Sequence, residues 1–178
     1  STFTEVILNR INDPSLSIYE DNAIGTYDYG TRLDEQIIDF SEGTIEETDK
    51  STDLAIVGDG FFVIETEEGE LYTRSGNFAV DSEGYLVTED GNYVLGKNGR
   101  IYLGATDFTV SSDGTITVNN ETADTLRIET FDDLSVLRKQ GDNLYYVYGD
   151  ATAVAATDVQ VLQGMQESSN VDITDEMV

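Results

Sequence analysis

Closely spaced turn dipeptides between short apolar runs are the feature that most constrains the fold of this 178-residue chain. Residues 52–96 read TDLAIVGDGFFVIETEEGELYTRSGNFAVDSEGYLVTEDGNYVLG, where an acidic residue repeatedly precedes glycine, and an Asn-Gly pair follows at 98–99. Glycine adopts positive φ at little steric cost, so such pairs are typical of hairpin turns. The best hairpin signals are the pairs at 90–91, 98–99 and 113–114. The pattern predicts a mainly β chain with an antiparallel β-meander body.

The apolar runs between these turns are predicted to be strands. Phe61 to Ile64 is apolar on both faces, which is typical of a central strand that is covered on both sides. We also predict strands at Ile37 to Phe40 and at Tyr145 to Tyr148. The stretches at 41–52 and 151–158 read as loops, the first polar and acidic and the second rich in alanine.

Short helical segments are predicted at both ends of the chain. Thr2 and Glu5 have the spacing of a capping box, and apolar residues recur at helical intervals as far as Ile11. A second helix is expected to begin at Asp172, with Ile173 and Met177 one turn apart. The expected organisation is an N-terminal helix and irregular connection at 1–40, a β-rich core at 41–150, and a return segment with the start of a helix at 151–178.

Composition excludes several function classes. The net charge of −27 disfavours binding to nucleic acid or to an anionic membrane surface. The chain contains no cysteine and no histidine, which removes thiol chemistry, the commonest general base and the commonest zinc ligand. No apolar run approaches the roughly 20 residues of a membrane span, so we expect no membrane insertion.

The sequence singles out no catalytic, cofactor-binding or metal-binding residues. The acidic stretches 81–84 and 89–92 do not follow the ligand spacing of a calcium loop, and turn acids are the simpler interpretation. Nothing in the spacing of the 36 acidic residues marks a catalytic pair. We assign Tyr72, Tyr85 and Tyr93 to half-buried strand positions rather than to a sugar-stacking platform.

An ordered set of residues in the centre of the chain carries a family resemblance. DLAI at 53–56, GDGFFV at 58–63 and YTRSGNF at 72–78 follow one another, and no generic hairpin requires this order. This set resembles the central region of flagellar rod and hook proteins. The core and motif positions that carry the resemblance are Asp53, Gly58, Gly60, Phe61, Phe62, Tyr72, Arg74, Gly76, Phe78, Gly84, Gly91, Gly96, Gly141, Asn143 and Gly164.

The resemblance continues towards the C-terminus. Gln163-Gly164, Glu167 and Ser169-Asn170-Val171 are similar to the C-terminal signature of the family, whereas KST at 50–52 stands where the family commonly has Asn-Pro-Leu. The compact size favours rod proteins of the FlgG or FlgF type over the longer hook protein. We expect the chain to be the middle of a longer protein whose terminal helices are missing.

The resemblance implies a structural subunit of the bacterial flagellar basal-body rod, without enzymatic activity. Such a subunit assembles with itself and with other rod and hook proteins into a helical axial filament for motility. The resemblance further implies export across the cytoplasmic membrane by the flagellar secretion apparatus, with no cofactor and no small-molecule substrate. The residues expected to contribute to assembly are Asn170, Val171, Ile173, Met177 and Val178.

Two other function classes stay open at the level of sequence. An acidic β-rich carbohydrate-binding or adhesin-like module would show an apolar cleft with convergent tyrosines. A carboxylate hydrolase would show a buried acidic pair in a deep pocket. If both flanking helices enter one axial core, the chain must leave the β body beside its point of entrance. We therefore predict antiparallel pairing of Ile37 to Phe40 with Val159 to Leu162.

Overall fold

The computed structural model describes residues 36–38, 40, 43–104, 107–168 and 173–175. Contacts divide the chain into two units, the first formed by Ser1–Ser41 with Asn170–Val178 and the second by Glu42–Ser169. Within the described residues every strand pair is antiparallel, as the turn pattern predicts. No helix in this described part of the chain has the length and apolar character needed to cross a membrane.

The described residues form short strands and one 3₁₀ turn at Leu134–Val136. The strands, in chain order, are β1 (Gln36–Ile38), β2 (Ile45–Glu47), β3 (Leu54–Val57), β4 (Phe61–Thr66), β5 (Gly69–Thr73), β6 (Phe78–Val80), β7 (Leu86–Thr88), β8 (Tyr93–Gly96), β9 (Gly99–Arg100), β10 (Thr109–Val110), β11 (Thr115–Val118), β12 (Glu121–Thr125), β13 (Ile128–Thr130), β14 (Leu137–Gln140), β15 (Leu144–Val147), β16 (Val154–Ala155), β17 (Gln160–Gln163), β18 (Met165–Glu167) and β19 (Ile173–Asp175).

The second unit is built on a ten-stranded sheet with the main order β14-β15-β5-β4-β8-β7-β6. The predicted hairpin turns at 90–91 and 98–99 are confirmed, because they join β7 to β8 and β8 to β9. The turn at 113–114 joins β10 to β11 in a separate three-stranded sheet. A pure meander is nevertheless wrong, since β4 pairs with β8 and β13, and β5 pairs with β15. β4 therefore has strand neighbours along both of its edges, and only one of them, β5, is its hairpin partner.

The predicted central strand is confirmed in β4. Phe61, Phe62, Val63 and Ile64 are each at most 1% exposed. Side chains of successive strand residues point to opposite faces, so β4 contributes to both sides of the sheet. On one side Phe62 meets Phe78 edge to face, with ring centroids 5.0 Å apart. On the other side Phe61 approaches Tyr145, with ring centroids 6.4 Å apart.

The main core lies on the Phe62 side of β4 and includes the three-stranded sheet. Ile116 of β11 is fully buried there, and Val161 of β17 is 3% exposed. The members of this core are Leu54, Ile56, Phe62, Ile64, Phe78, Leu86, Val94, Ile101, Leu103, Phe108, Val110, Ile116, Leu126, Ile128 and Val161.

Three predictions of local structure are wrong. Ile173–Asp175 is a strand paired with β1, not the start of a helix, and its two β-branched residues favour the extended conformation. The predicted loops at 41–52 and 151–158 contain β2 and β16, which are short and largely exposed and so leave little apolar signal. The predicted helix at Ser1 to Ile11 and the irregular connection that follows it lie outside the described residues.

The predicted pairing of Ile37 to Phe40 with Val159 to Leu162 is also wrong. The first segment pairs through β1 with β19, whereas the second pairs through β17 with β3. The returning chain runs antiparallel to the incoming chain, so β17 pairs with β3 and the following β18 pairs with β2. The wider expectation that the chain leaves the β body beside its point of entrance is confirmed, because β2 pairs with β18.

Candidate functional site

Two antiparallel segments, 43–57 and 160–168, form a feature that we call the neck. Its ladders are β2 with β18 and β3 with β17, so the incoming and returning paths of the chain run side by side. Gly164 closes the space between the ladders. Its carbonyl accepts hydrogen bonds from the N–H groups of Thr48 (2.8 Å) and Asp49 (3.3 Å), and its own N–H donates to the carbonyl of Asp53 (2.8 Å). Gly164 has a φ of 77°, a conformation that favours glycine at this position.

Arg74 lies just after β5 and binds the neck to the main sheet. Its Nη1 donates to the carbonyls of Gly58 (2.6 Å) and Gly60 (2.7 Å), and its Nη2 donates to the carbonyl of Ile56 (2.9 Å). Its Nε and Nη2 also reach the two carboxylate oxygens of Glu167, each at 3.2 Å. A guanidinium carries five N–H donors, and all five are used here. One side chain therefore fixes the β3–β4 turn against the returning strand β18.

Glu167 completes the connection to the incoming strand. Its Oε2 accepts a hydrogen bond from the backbone N–H of Gly43 at 2.8 Å. The side chains of Arg74 and Glu167 are only 11% and 8% exposed, so water screens their attraction less than that of a surface pair. We call this cluster, formed by Arg74, Glu167, Gly43 and the 56–60 turn, the neck clamp. It connects four separate parts of the sequence at the point where the chain enters and leaves the β body.

Gly76 allows the neck and the main sheet to approach closely. A Cβ atom at this position would lie 1.8 Å from the carbonyl oxygen of Leu54, a distance that no side chain could occupy. The carbonyl of Gly76 in turn accepts a hydrogen bond from the N–H of Leu54 at 3.0 Å. The glycine of the YTRSGNF motif is therefore required for strand β3 to lie against the 74–78 segment.

The remaining motif residues occupy core, turn and groove positions. Phe61, Phe62, Tyr72 and Phe78 are buried, and so is Asp53. Gly84, Gly91 and Gly141 have positive φ and lie in turns, whereas Gly96 packs against the carboxylate of Asp124. Gly141 and Asn143 line a groove of about 420 Å³ that also contacts Phe78. Sequence reasoning missed the role of Glu167. The available signal was Arg74 inside the motif at 72–78, because an arginine that becomes buried needs an acidic partner.

The residues expected to contribute to assembly are only partly described. Ile173 lies in β19, where its backbone pairs with Ile38. Asn170, Val171, Met177 and Val178 lie outside the described residues. The role of these five residues in assembly therefore stays a prediction.

Three acidic side chains have a pKa that is lowered by local hydrogen bonds, which is typical of a structural role rather than a catalytic one. A hydrogen bond from Ser111 and two from Thr115 lower the pKa of Asp113 to about 2. Hydrogen bonding to Arg127 lowers the pKa of Glu70, and Ser135 lowers that of Asp133. A carboxylic acid that donates a proton at neutral pH needs a raised pKa, so these three groups are suited to accepting hydrogen bonds. Among the described residues no three acidic side chains are grouped to hold a metal ion.

The tyrosines at 85, 93 and 102 do not form a flat stacking platform. Tyr85 meets Tyr93 and Tyr102 edge to face, with ring centroids 5.7 and 5.3 Å apart. The Arg100 guanidinium lies over the Tyr93 ring, 4.0 Å from its centroid. These rings bind one another and an arginine, which argues against the carbohydrate-binding alternative. Tyr72, Tyr85 and Tyr93 are buried or half-buried on the sheet, as predicted.

Comparison with known proteins shows what the chain as a whole is similar to. The family described as the flagellar hook protein FlgE/F/G D1 domain matches residues 55–118. The flagellar basal-body rod protein FlgG of Bacillus subtilis is 37% identical, over 91% of this chain and 70% of its own length. The flagellar basal-body rod protein FlgF of Caulobacter vibrioides is 38% identical over 74% of this chain and 55% of its own length. The hook protein FlgE of Helicobacter pylori is 39% identical, but over only 12% of its own length. The chain thus spans between about half and 70% of the two rod relatives.

Proposed function

Because this chain belongs to the flagellar rod and hook protein family, we propose that it is the β body of a structural subunit of the bacterial flagellar basal-body rod. The observation that carries the proposal is the relation to FlgG, which is 37% identical over 91% of the chain. In this role the protein performs no catalysis and needs no cofactor. Its subunits assemble with one another and with other rod and hook proteins into a helical axial filament.

The neck supports this role on physical grounds. A subunit that places its two flanking segments in one axial core needs a β body whose chain enters and leaves at one place. Paired strands from 43–57 and 160–168 provide that arrangement, and the neck clamp stiffens it. Force applied to the flanking segments would therefore reach the ten-stranded sheet through hydrogen bonds rather than through a single flexible linker.

Assembly itself we assign to the residues beyond the neck. Asn170, Val171, Ile173, Met177 and Val178 would contact neighbouring segments in the filament, after export of the subunit by the flagellar secretion apparatus. Their apolar members follow the neck directly in the sequence. In the whole protein, replacing Ile173 and Met177 with aspartate should prevent rod formation while leaving the β body folded.

The experiment combines motility with recovery of basal bodies. Cells that carry Ile173→Asp with Met177→Asp should be non-motile and should yield no complete rods, although the protein is made at a normal level. Cells that carry Glu83→Ala, a change at an exposed turn acid, should swim normally. Full motility and normal rods in the double variant would refute the assembly role of these residues.

A further inference from the structure

Strand β14 is an edge of the ten-stranded sheet. Among the described strands it pairs only with β15, so its other side has no strand neighbour. Unpaired strand edges are ready templates for association, and proteins that stay monomeric usually protect them. The edge of β14 is therefore a candidate surface for contact with another chain.

Three side chains next to this edge form a patch with the composition of an interaction surface. Arg138 of β14 stands opposite Tyr146 of β15, and Tyr148 follows two residues later. The Arg138 guanidinium lies 4.7 Å from the centroid of the Tyr148 ring. Tyr146 and Tyr148 are 37% and 48% exposed. We call these three residues the edge patch; tyrosine and arginine are the residue types enriched in the energetic centres of protein interfaces.

The charge of the edge patch is not compensated within the part of the chain that the structure describes. Arg138 donates to the backbone carbonyls of Ser135 (2.5 Å) and Leu137 (3.1 Å) and has no carboxylate partner there. The three other described arginines all form ion pairs with glutamate, as Arg74 does with Glu167. In a chain with a net charge of −27, an arginine left without an acid is an exception.

A second group of tyrosines with an arginine is less suited to binding. Arg100 is already paired with Glu65 at 2.9 Å, and its guanidinium covers the ring of Tyr93. Tyr102 is 59% exposed but packs its ring against Tyr85. In that group the arginine is paired with an acid and the rings contact one another. In the edge patch, Arg138 has no acidic partner among the described residues.

We propose that the edge patch docks onto the acidic surface of a second copy of this chain. Charge complementarity favours a second copy as the partner, because a chain with this acid excess offers a negative surface to Arg138 of its neighbour. The contact is heterologous: the edge patch of one copy meets a different surface of the next, and such contacts extend into helical filaments. This inference rests on the proposed function and names the surface through which neighbouring β bodies meet.

Photo-crosslinking in cells tests the contact directly. The whole protein would carry p-benzoyl-phenylalanine in place of Tyr146, and basal bodies would be purified after irradiation. We expect a covalent dimer of this chain in the basal-body fraction. A crosslink only to a different protein, or no crosslink although the protein is present in basal bodies, would overturn the inference and leave the proposed function intact. Absence of the protein from basal bodies would overturn both.

Charge variants in the same crosslinking background show whether Arg138 acts through its charge. Arg138→Glu should reduce the yield of dimer about tenfold or more, because like charges repel across an interface. Arg138→Lys keeps the charge and should retain at least about half of the dimer. The control is Lys97→Glu, at an exposed position outside the edge patch, and it should change the yield less than about twofold. An equal loss in Lys97→Glu and Arg138→Glu would contradict the proposal, because the effect would then reflect net charge alone.

Discussion

Replacing Arg74 with methionine should destabilise the β body more than any change to a surface ion pair. The substitution leaves the Glu167 carboxylate without its cation at a side chain that is 8% exposed, and it removes donors from three backbone carbonyls. Breaking a buried pair by removing one partner costs about 3–5 kcal/mol. A domain is stable by only about 5–15 kcal/mol, so a large share of its stability would be lost.

Glu167→Gln should cost less than Arg74→Met. The guanidinium keeps its three bonds to the carbonyls of the 56–60 turn, so the loss is confined to the charge-assisted bonds and comes to about 1.5–3 kcal/mol. The double variant Arg74→Met with Glu167→Gln removes both charges at once. Its cost should be smaller than the sum of the single costs, because residues of one network are coupled.

Urea unfolding followed by far-UV circular dichroism measures these costs. The matched control is Arg100→Met, which breaks the Arg100–Glu65 pair at side chains that are 50% and 39% exposed. It should cost about 1 kcal/mol or less. If Arg74→Met costs no more than Arg100→Met, the neck clamp contributes nothing special and the reasoning is refuted.

Core packing, the Asp113 carboxylate and the net charge each give a further testable expectation. Phe62→Ala should cost about 3–5 kcal/mol in the same urea assay, since Phe62 is fully buried against Phe78; a cost below about 1 kcal/mol would contradict the described core. The pKa of Asp113 is lowered from 3.8 to about 2, so its stabilising contribution is complete above pH 3.8 and is lost as the pH falls towards 2; an NMR titration with a midpoint near 3.8 would contradict this. This 178-residue chain alone should sediment as a monomer or a weak associate at physiological salt, because its charge of −27 opposes association; a tight oligomer at micromolar concentration would contradict that expectation.

Local turn chemistry could be predicted from the sequence because it depends on neighbouring residues. The Asp-Gly and Asn-Gly pairs at 90–91, 98–99 and 113–114 each lie in the turn of a hairpin. The double-sided apolar run of Phe61 to Ile64 likewise identifies a central strand. Both signals lie within a few residues, where sequence reasoning is strongest.

Partners far apart in the chain could not be predicted in this way. β4 pairs with β8 and β13, and Arg74 meets Glu167 across 93 residues of sequence. Periodicity reports which face of a strand is buried but not which strand lies beside it. The error at Ile173–Asp175 has the same origin, because its strand conformation depends on pairing with Gln36–Ile38. The helical spacing of Ile173 and Met177 is a weak signal. The backbone hydrogen bonds between β1 and β19 outweigh it.

The arrangement of the β body within a flagellar rod tests the proposed function directly. Electron cryomicroscopy of rods purified from cells that make this protein would show each β body and the orientation of its neck. We expect one β body per subunit outside the axial core, with 43–48 and 164–168 facing the core. Rods that contain no such body, or bodies whose necks face away from the axis, would contradict it.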